Sequence, residues 1–219
     1  MVDYVAIIAD GNRRWAHGRG LSTQDGHEAA ADTLSARVRD AASLGVKELT
    51  VYVFSTENWS RPETEIDGLM EMLCRRLQSE TVSLHHDDVR MRFLGVREDL
   101  SAALRAQMDS SEAITQSNSG LTLYMALNYG GRDEIVRAAT QFEGSTHEEF
   151  TRCLHAPDMH DPEVIIRTGG ERRLSNFLLW RSAYAELVFR DELWPDFTRH
   201  AFEQCLREFD QRTRRFGGR

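Results

Sequence analysis

The residues with the clearest potential for chemistry lie in one segment, 163–187, which reads EVIIRTGGERRLSNFLLWRSAYAEL. An apolar run typical of a buried strand ends in Arg167, and a Gly-Gly break then leads to Arg173 and Ser175. Guanidinium groups match phosphate oxygens through paired hydrogen bonds. Glu186 follows close behind, and a carboxylate beside a phosphate indicates a bridging Mg2+ ion. Solvated charges at a strand end are the usual interpretation of such a pattern, but a matching half-site near the start of the chain argues against it.

That half-site is residues 4–16, YVAIIADGNRRWA. The apolar run indicates a buried strand, and Asp10-Gly11 directly after it is typical of a turn. In open α/β sheets, ligands bind beyond the carboxyl ends of strands, so Asp10 can serve as a metal ligand or as a general acid or base. Gly11 lets the backbone approach a phosphate closely, and Arg13 and Arg14 supply positive charge.

A third cluster occupies residues 52–63, YVFSTENWSRPE. The polar residues 55–58 follow an apolar run and are small enough to line a site. Trp59 can form an aromatic wall, and Arg61 adds another guanidinium group. The same residues also fit a helix N-cap beside a packing tryptophan, so the sequence leaves both interpretations open.

Apolar runs alternate with helical patterns along the whole chain, which predicts a parallel sheet covered by helices. We therefore expect one α/β domain, 1–219, with a central, mostly parallel sheet of about six strands and helices on both faces. The predicted strands lie near 4–9, 48–54, 89–94, 121–127, 163–167 and 186–190. The predicted helices lie near 26–44, 63–84, 98–116, 131–143 and 198–214.

Composition is that of a globular protein, because 41% of the 219 residues are apolar and 28% are charged. The net charge of -8 makes nucleic acid an unfavourable general partner. Cys74, Cys153 and Cys205 are isolated from one another, which is typical of reduced thiols in the cytoplasm. The chain enters its first predicted strand directly, so no signal peptide is expected, and no apolar run is long enough for a membrane span.

Six motifs occur in the order that is characteristic of one family, and together they cover essentially the whole chain. The chain resembles the cis-prenyltransferases of the undecaprenyl diphosphate synthase family, with an Arg-x-Gly tail at 215–217. The motifs are DGNRRWA, Gly26-His27, FSTENWSRP, LNYGGRDEI, IRTGGERRLSNFLLW and LWPDF.

The resemblance implies that isopentenyl diphosphate is condensed with an allylic diphosphate to give a cis double bond. Asp10 is then the essential acid that handles Mg2+, Asn58 helps to remove the proton, and Glu186 is a second metal-linked carboxylate. The residues implied to hold the allylic diphosphate, or to line or flank its site, are Gly11, Asn12, Arg13, Arg14, Trp15, His27, Ser55, Thr56, Glu57, Trp59 and Arg61. Those implied to bind isopentenyl diphosphate are Arg167, Arg173, Leu174 and Ser175, with Arg215 and Gly217 reaching the site of a partner subunit in a homodimer.

Three positions depart from the family pattern. Thr23 stands at about the place of an arginine that contacts phosphate, so one phosphate contact is expected to be missing. Arg172 replaces a histidine found in some members, which removes a possible metal contact. Val53 falls where the family often has alanine, and the larger side chain is expected to shorten the hydrophobic tunnel that the helix near 63–84 would wall.

Two alternatives to a homodimeric enzyme stay open at the level of sequence. One is a non-catalytic subunit of a heteromeric prenyltransferase. The presence of Asp10, Asn58, Arg167, Arg173 and Glu186 argues against it. The other is a same-fold enzyme that makes a short or branched isoprenyl diphosphate. A lipid product also implies peripheral contact with a membrane, whereas product length, the allylic primer and the group that accepts the proton are not specified.

Overall fold

The protein is a single α/β unit built on six strands that all run parallel, as the sequence predicts. The computed structural model describes residues 2–212, so the predicted contributions of Arg215 and Gly217 lie outside the described residues. The strands are β1 (Tyr4–Ile8), β2 (Glu48–Ser55), β3 (Arg90–Leu94), β4 (Thr122–Tyr129), β5 (Val164–Arg167) and β6 (Glu186–Phe189), in the sheet order β3-β4-β2-β1-β5-β6.

The predicted long helices are present, and two short ones accompany them. The helices are α1 (Asn12–His17), α2 (Thr23–Ser43), α3 (Glu63–His86), α4 (Ala102–Thr115), α5 (Gly131–Gln141), α6 (His147–Thr151) and α7 (Arg199–Gln211). Within residues 2–212 the helices are too short or too polar to cross a bilayer.

Successive side chains of β1 point to opposite faces of the sheet, and a hydrophobic core lies on each face. Val5 and Ile7 face the larger core, where helices α2, α3, α4 and α7 pack. Ala6 and Ile8 face a smaller core that is covered by irregular segments around Met159 and residues 174–178.

The sheet order places the candidate residues at one edge. β1 lies between β2 and β5, and Ile8 pairs in register with Tyr52 on one side and Arg167 on the other. Because the strands are parallel, the turns that follow β1, β2 and β5 meet at their shared carboxyl edge. This is where ligands bind in open α/β sheets.

Gly95, just after β3, is a position at which the fold requires glycine. Its φ is 117°, and a Cβ atom there would lie 2.1 Å from the carbonyl oxygen of Leu127. We expect Gly95→Ala to lower the free energy of unfolding by about 3 kcal/mol or more, because backbone strain and a backbone clash act together. Gly20→Ala is the matched control, since Gly20 also has positive φ (70°) but has open space around it. Equal losses for the two variants in urea unfolding would contradict the steric argument.

Candidate active site

A carboxylate and a buried guanidinium form the centre of the site. Asp10 follows β1, and its Oδ2 accepts a hydrogen bond of 2.8 Å from Nη2 of Arg167, the last residue of β5. Its Oδ1 accepts a second from Arg14 Nη2 at 3.3 Å. The Arg167 side chain is 5% exposed, whereas that of Asp10 is 30% exposed. The buried arginine therefore fixes a carboxylate that remains accessible.

The backbone at Asp10 is held by residues that the sequence analysis did not single out. The Thr168 hydroxyl accepts from the amide of Asp10 (3.0 Å) and lies 2.9 Å from its carbonyl oxygen, to which it donates. The amide of Trp194 donates to the same carbonyl at 3.0 Å. The signal available in the sequence was a small hydroxyl directly after Arg167 and before Gly-Gly.

Gly11 allows the tight turn between Asp10 and α1. Its φ is 109°, and an added Cβ would meet the Leu193 side chain at 2.8 Å. α1 begins at Asn12, which leaves Arg13 and Arg14 exposed on its first turn.

The other terminal nitrogen of the Arg167 guanidinium group binds the loop that follows β5. Nη1 donates to the carbonyl oxygen of Arg173 at 2.5 Å and to Oγ of Ser175 at 2.7 Å. Ser175 adopts a left-handed φ of 48°, which wraps the loop around the guanidinium group. The Arg173 side chain is exposed beside Glu171, and Leu174 packs against the smaller core.

The opposite wall comes from the turn after β2 and from α2. Oδ1 of Asn58 accepts a hydrogen bond from the amide of Ser55 (3.1 Å), so Asn58 does cap this turn while it also lines the cavity. Glu65 lies between the Arg61 guanidinium group and the His27 imidazole, 3.2 Å from Nη1 of Arg61 and 3.9 Å from Nε2 of His27.

These residues surround a cavity of 290 Å³ that is polar at one end and apolar at the other. Its polar end includes eight predicted site residues: Asp10, Asn12, His27, Ser55, Asn58, Arg61, Arg167 and Ser175. Its apolar part is lined by Ala30, Ala31, Leu34, Val51, Val53, Phe54, Leu69, Met72 and Leu73. The contribution of α2 to this lining was missed by the sequence analysis, although the run of alanines at 29–31 is the signal that could have revealed it.

Three buried polar atoms at the polar end have no hydrogen-bond partner among the described residues. They are Oδ1 of Asn12, Nδ1 of His27 and Nε of Arg167. Buried polar atoms are rarely left unpaired in folded proteins, so their presence around one cavity indicates a site for a polar ligand.

The predicted site residues that do not line the cavity include Trp15, Thr56, Glu57 and Trp59. Trp15 donates to Asp196 at 2.8 Å, and Trp59 donates to Asn128 at 2.7 Å. Oε1 of Glu57 accepts from Asn176 at 2.8 Å, and the Thr56 hydroxyl faces Asp133 at 3.3 Å. Their described contacts tie neighbouring loops together.

Glu186 does not reach this edge within one chain, contrary to the expectation that it lies close behind the arginines. Glu186 is the first residue of β6 and pairs with Val164, whereas Arg167 pairs with Phe189. A spacing of three strand residues separates it from the carboxyl edge by roughly 10 Å. Its Oε2 instead accepts a hydrogen bond of 2.9 Å from Arg212.

The donor set near Asp10 fits a Mg2+ ion that is shared with substrate. Among residues 2–212, no three His, Cys, Asp or Glu side chains gather into a metal cluster. Mg2+ is commonly held by one or two carboxylates together with substrate phosphates, and Asp10 offers an accessible carboxylate at a cationic edge.

Burial gives His27 a testable effect on stability. Desolvation lowers the pKa of His27, and Glu65 nearby opposes this only in part. In the unfolded chain the pKa is about 6.5, so below that pH the unfolded state takes up a proton that the folded state does not. We expect unfolding titrations to show that the wild type loses more stability between pH 7.5 and 5.5 than His27→Gln does. Parallel stability profiles for the two proteins would contradict this.

The polar edge, the apolar cavity and the parallel sheet together define an α/β enzyme site for a ligand with an anionic head and an apolar tail. A prenyltransferase family model for undecaprenyl diphosphate synthases matches residues 8–217, and the chain belongs to this family. Isoprenyl transferase 2 of Bradyrhizobium diazoefficiens is 46% identical over 98% of this chain and 90% of its own. A ditrans,polycis-undecaprenyl-diphosphate synthase specific for (2E,6E)-farnesyl diphosphate, from Pectobacterium atrosepticum, is 45% identical over 98% of this chain and 89% of its own.

Two solved structures share the whole fold. Lavandulyl diphosphate synthase from Lavandula x intermedia, in complex with dimethylallyl diphosphate, superposes with a TM-score of 0.96 at 31% identity, covering 99% of this chain and 98% of that one. A probable undecaprenyl diphosphate synthase from Campylobacter jejuni gives 0.85 at 32% identity, covering 99% of both chains.

Proposed function

We propose that the protein condenses isopentenyl diphosphate with an allylic diphosphate, such as geranyl or farnesyl diphosphate, and forms a Z-polyprenyl diphosphate. The observation that carries this proposal is the Asp10–Arg167 pair at the polar end of a 290 Å³ cavity whose other end is apolar. A diphosphate head matches the first end, and a prenyl tail matches the second.

The residues of the chain bind and orient the two substrates. Arg14 and Arg167 can offer guanidinium groups to diphosphate oxygens, while Ser175 adds a hydroxyl beside them. Fixed donors stabilise the charge that develops on a departing diphosphate, and near-attack geometry brings the isopentenyl double bond to the allylic carbon. Mg2+, held by Asp10 and substrate phosphates, would supply further charge stabilisation to the leaving group.

The new double bond forms when a proton leaves C2 of the isopentenyl unit, and a base within reach of that carbon must accept it. Asn58 lines the cavity, but its Oδ1 already accepts from Ser55, so it is suited to position a group rather than to carry a proton itself. A phosphate oxygen of the substrate remains an alternative acceptor.

The remaining proposals concern the oligomeric state of the protein and its location in the cell. We propose a homodimer in the cytoplasm, with Arg215 and Gly217 of one copy reaching the isopentenyl site of the other, and with peripheral membrane contact for release of a lipid product. Glu186 can share a metal with Asp10 only if the two carboxylates come from different chains, because one chain holds them at opposite ends of the sheet.

Product analysis tests the proposal directly. Purified protein is incubated with Mg2+, labelled isopentenyl diphosphate and, in separate reactions, dimethylallyl, geranyl or farnesyl diphosphate, and the dephosphorylated products are sized. A ladder that depends on both substrates and on Mg2+ is expected. Activity that appears only after a second protein is added would instead identify the chain as one subunit of a heteromeric enzyme.

The close superposition on lavandulyl diphosphate synthase favours a second candidate, the joining of two allylic diphosphates into a branched product. The isopentenyl-side groups Arg167, Arg173 and Ser175 are all present, which argues for the first candidate. Incubation with dimethylallyl diphosphate alone separates the two. A branched product formed without isopentenyl diphosphate would favour the second.

A further inference from the structure

A cluster of ion pairs joins α2 to α3 on the side of the cavity away from Asp10. Arg76 on α3 lies 2.8 Å from Glu28, 2.8 Å from Asp32 and 3.3 Å from Glu80. Glu80 also accepts a hydrogen bond from Ser35 on α2. Glu28, Asp32 and Ser35 are spaced by four and three residues, so they share one face of α2. We refer to these five residues as the helix clasp.

A second, smaller cavity of 40 Å³ lies beneath the helix clasp. Its lining from the sheet is Met91, Leu123 and Met125, and the rest comes from α2 and α3. Ser35, Arg76 and Glu80 contribute to the lining, and Arg76 and Glu80 are also 29% and 25% exposed, so these side chains form the outer wall of the cavity.

The two cavities are arranged in series. Ala31, Leu34 and Leu73 line both of them, which makes these side chains the neck between the main cavity and the smaller one. A prenyl tail that starts at the polar edge and outgrows the main cavity therefore meets this neck first and the helix clasp next.

Widening beyond the neck requires α2 and α3 to move, because the hydrogen-bonded sheet forms the floor. The helix clasp ties these two helices at the level of the smaller cavity. It also places the charged groups of Arg76 and Glu80 where an advancing tail would end, and contact with charge is unfavourable for an apolar chain.

The geometry points to the helix clasp as a determinant of product length. It holds α2 and α3 together over the smaller cavity and limits the number of isoprene units that the enzyme can add. This inference rests on the proposed condensation and specifies which residues set its end point.

The test compares product lengths at equal extent of reaction. Arg76→Met removes three ion pairs and keeps an unbranched side chain, and Glu80→Gln weakens the clasp with almost no change in shape. Both are expected to raise the fraction of products longer than the main wild-type product by about three- to tenfold, since partly exposed ion pairs contribute modestly. Thermal unfolding confirms that each variant is folded, and Glu80→Gln keeps the test decisive if Arg76→Met does not fold.

Arg75→Met is the matched control on the same helix. Arg75 also pairs with Glu28, at 2.7 Å, but is 60% exposed and does not line either cavity. Its products are expected to match those of the wild type. If the clasp variants are folded and active but their products are no longer than those of the wild type, the inference about product length is wrong and the proposed function is unaffected. If the wild type forms no prenyl product, the proposed function itself is wrong.

Discussion

An Asp10→Asn substitution is expected to lower kcat by about 10³-fold while the protein stays folded. Asparagine preserves the shape of the side chain but lacks the negative charge. Arg14 and Arg167 donate to different oxygens of Asp10, so the single oxygen of asparagine can accept from only one of them in this geometry. Two effects then combine. The variant site binds Mg2+ more weakly than the wild type does when diphosphate is present. The two arginines, no longer balanced by the carboxylate, still bind diphosphate, but without the metal that assists its departure as a leaving group. Steady-state kinetics at saturating substrate and a Mg2+ titration measure both effects.

Asp40→Asn is the control for the general effect of removing a paired carboxylate. Asp40 is also held between two arginines, 2.6 Å from Arg37 and 3.1 Å from Arg199, and does not line the cavity. It is expected to lose stability without a comparable loss of kcat. If Asp10→Asn retained a tenth or more of wild-type kcat at saturating Mg2+, Asp10 could not be the residue that handles the metal.

Most of the fold could be predicted because most of the strands are largely apolar runs. Strands buried on both faces need apolar residues throughout, and the runs around β1, β2 and β5 therefore stood out from the helical patterns. α1 and α6 were missed because six and five residues are too few to show a helical period. Their ends are set by Gly11 and by a capping box at Thr146, which are local signals of low specificity.

The sequence predicted which residues meet at the carboxyl edge wherever a polar residue ends an apolar run. Asp10, Ser55 and Arg167 each do so, and parallel pairing brings such residues to one edge. Glu186 was placed wrongly relative to them because it begins its run, which puts it at the amino end of β6. The direction of a strand, and not the nearness of residues in sequence, decides which side chains meet.

Contacts between distant segments could not be derived from local pattern. Trp59 was assigned to the site wall, yet its indole donates to Asn128, which lies 69 positions along the chain, and its ring packs edge-on against Phe54 at 5.1 Å. Asn128 can take this role because it adopts a left-handed φ of 51° at the end of β4. Neither the conformation nor the pairing has a signature in the sequence around Trp59.

The hydrogen bonds that the Arg167 guanidinium group makes on two sides lead to a second prediction with a large expected effect on activity. Arg167→Lys keeps the charge but replaces two separate nitrogen donors with a single ammonium group. One ammonium cannot bind Asp10 on one side and the Arg173–Ser175 loop on the other with the same geometry. We expect kcat/KM for isopentenyl diphosphate to fall by about 100-fold, because both the carboxylate and the substrate-binding loop lose their fixed positions. Initial rates at varied isopentenyl diphosphate, with the allylic substrate saturating, measure this.

Arg97→Lys tests whether the loss is specific to the site. Arg97 also bridges two acceptors, Asp109 and Glu112, but lies near α4 and away from the cavity. Arg97→Lys should leave kcat/KM unchanged. Arg167→Lys should leave the product-length distribution unchanged, since Arg167 lies at the polar end and the tail grows toward the helix clasp. A variant at Arg167 that changed product length but preserved kcat/KM would show that the diphosphate head does not bind at this edge.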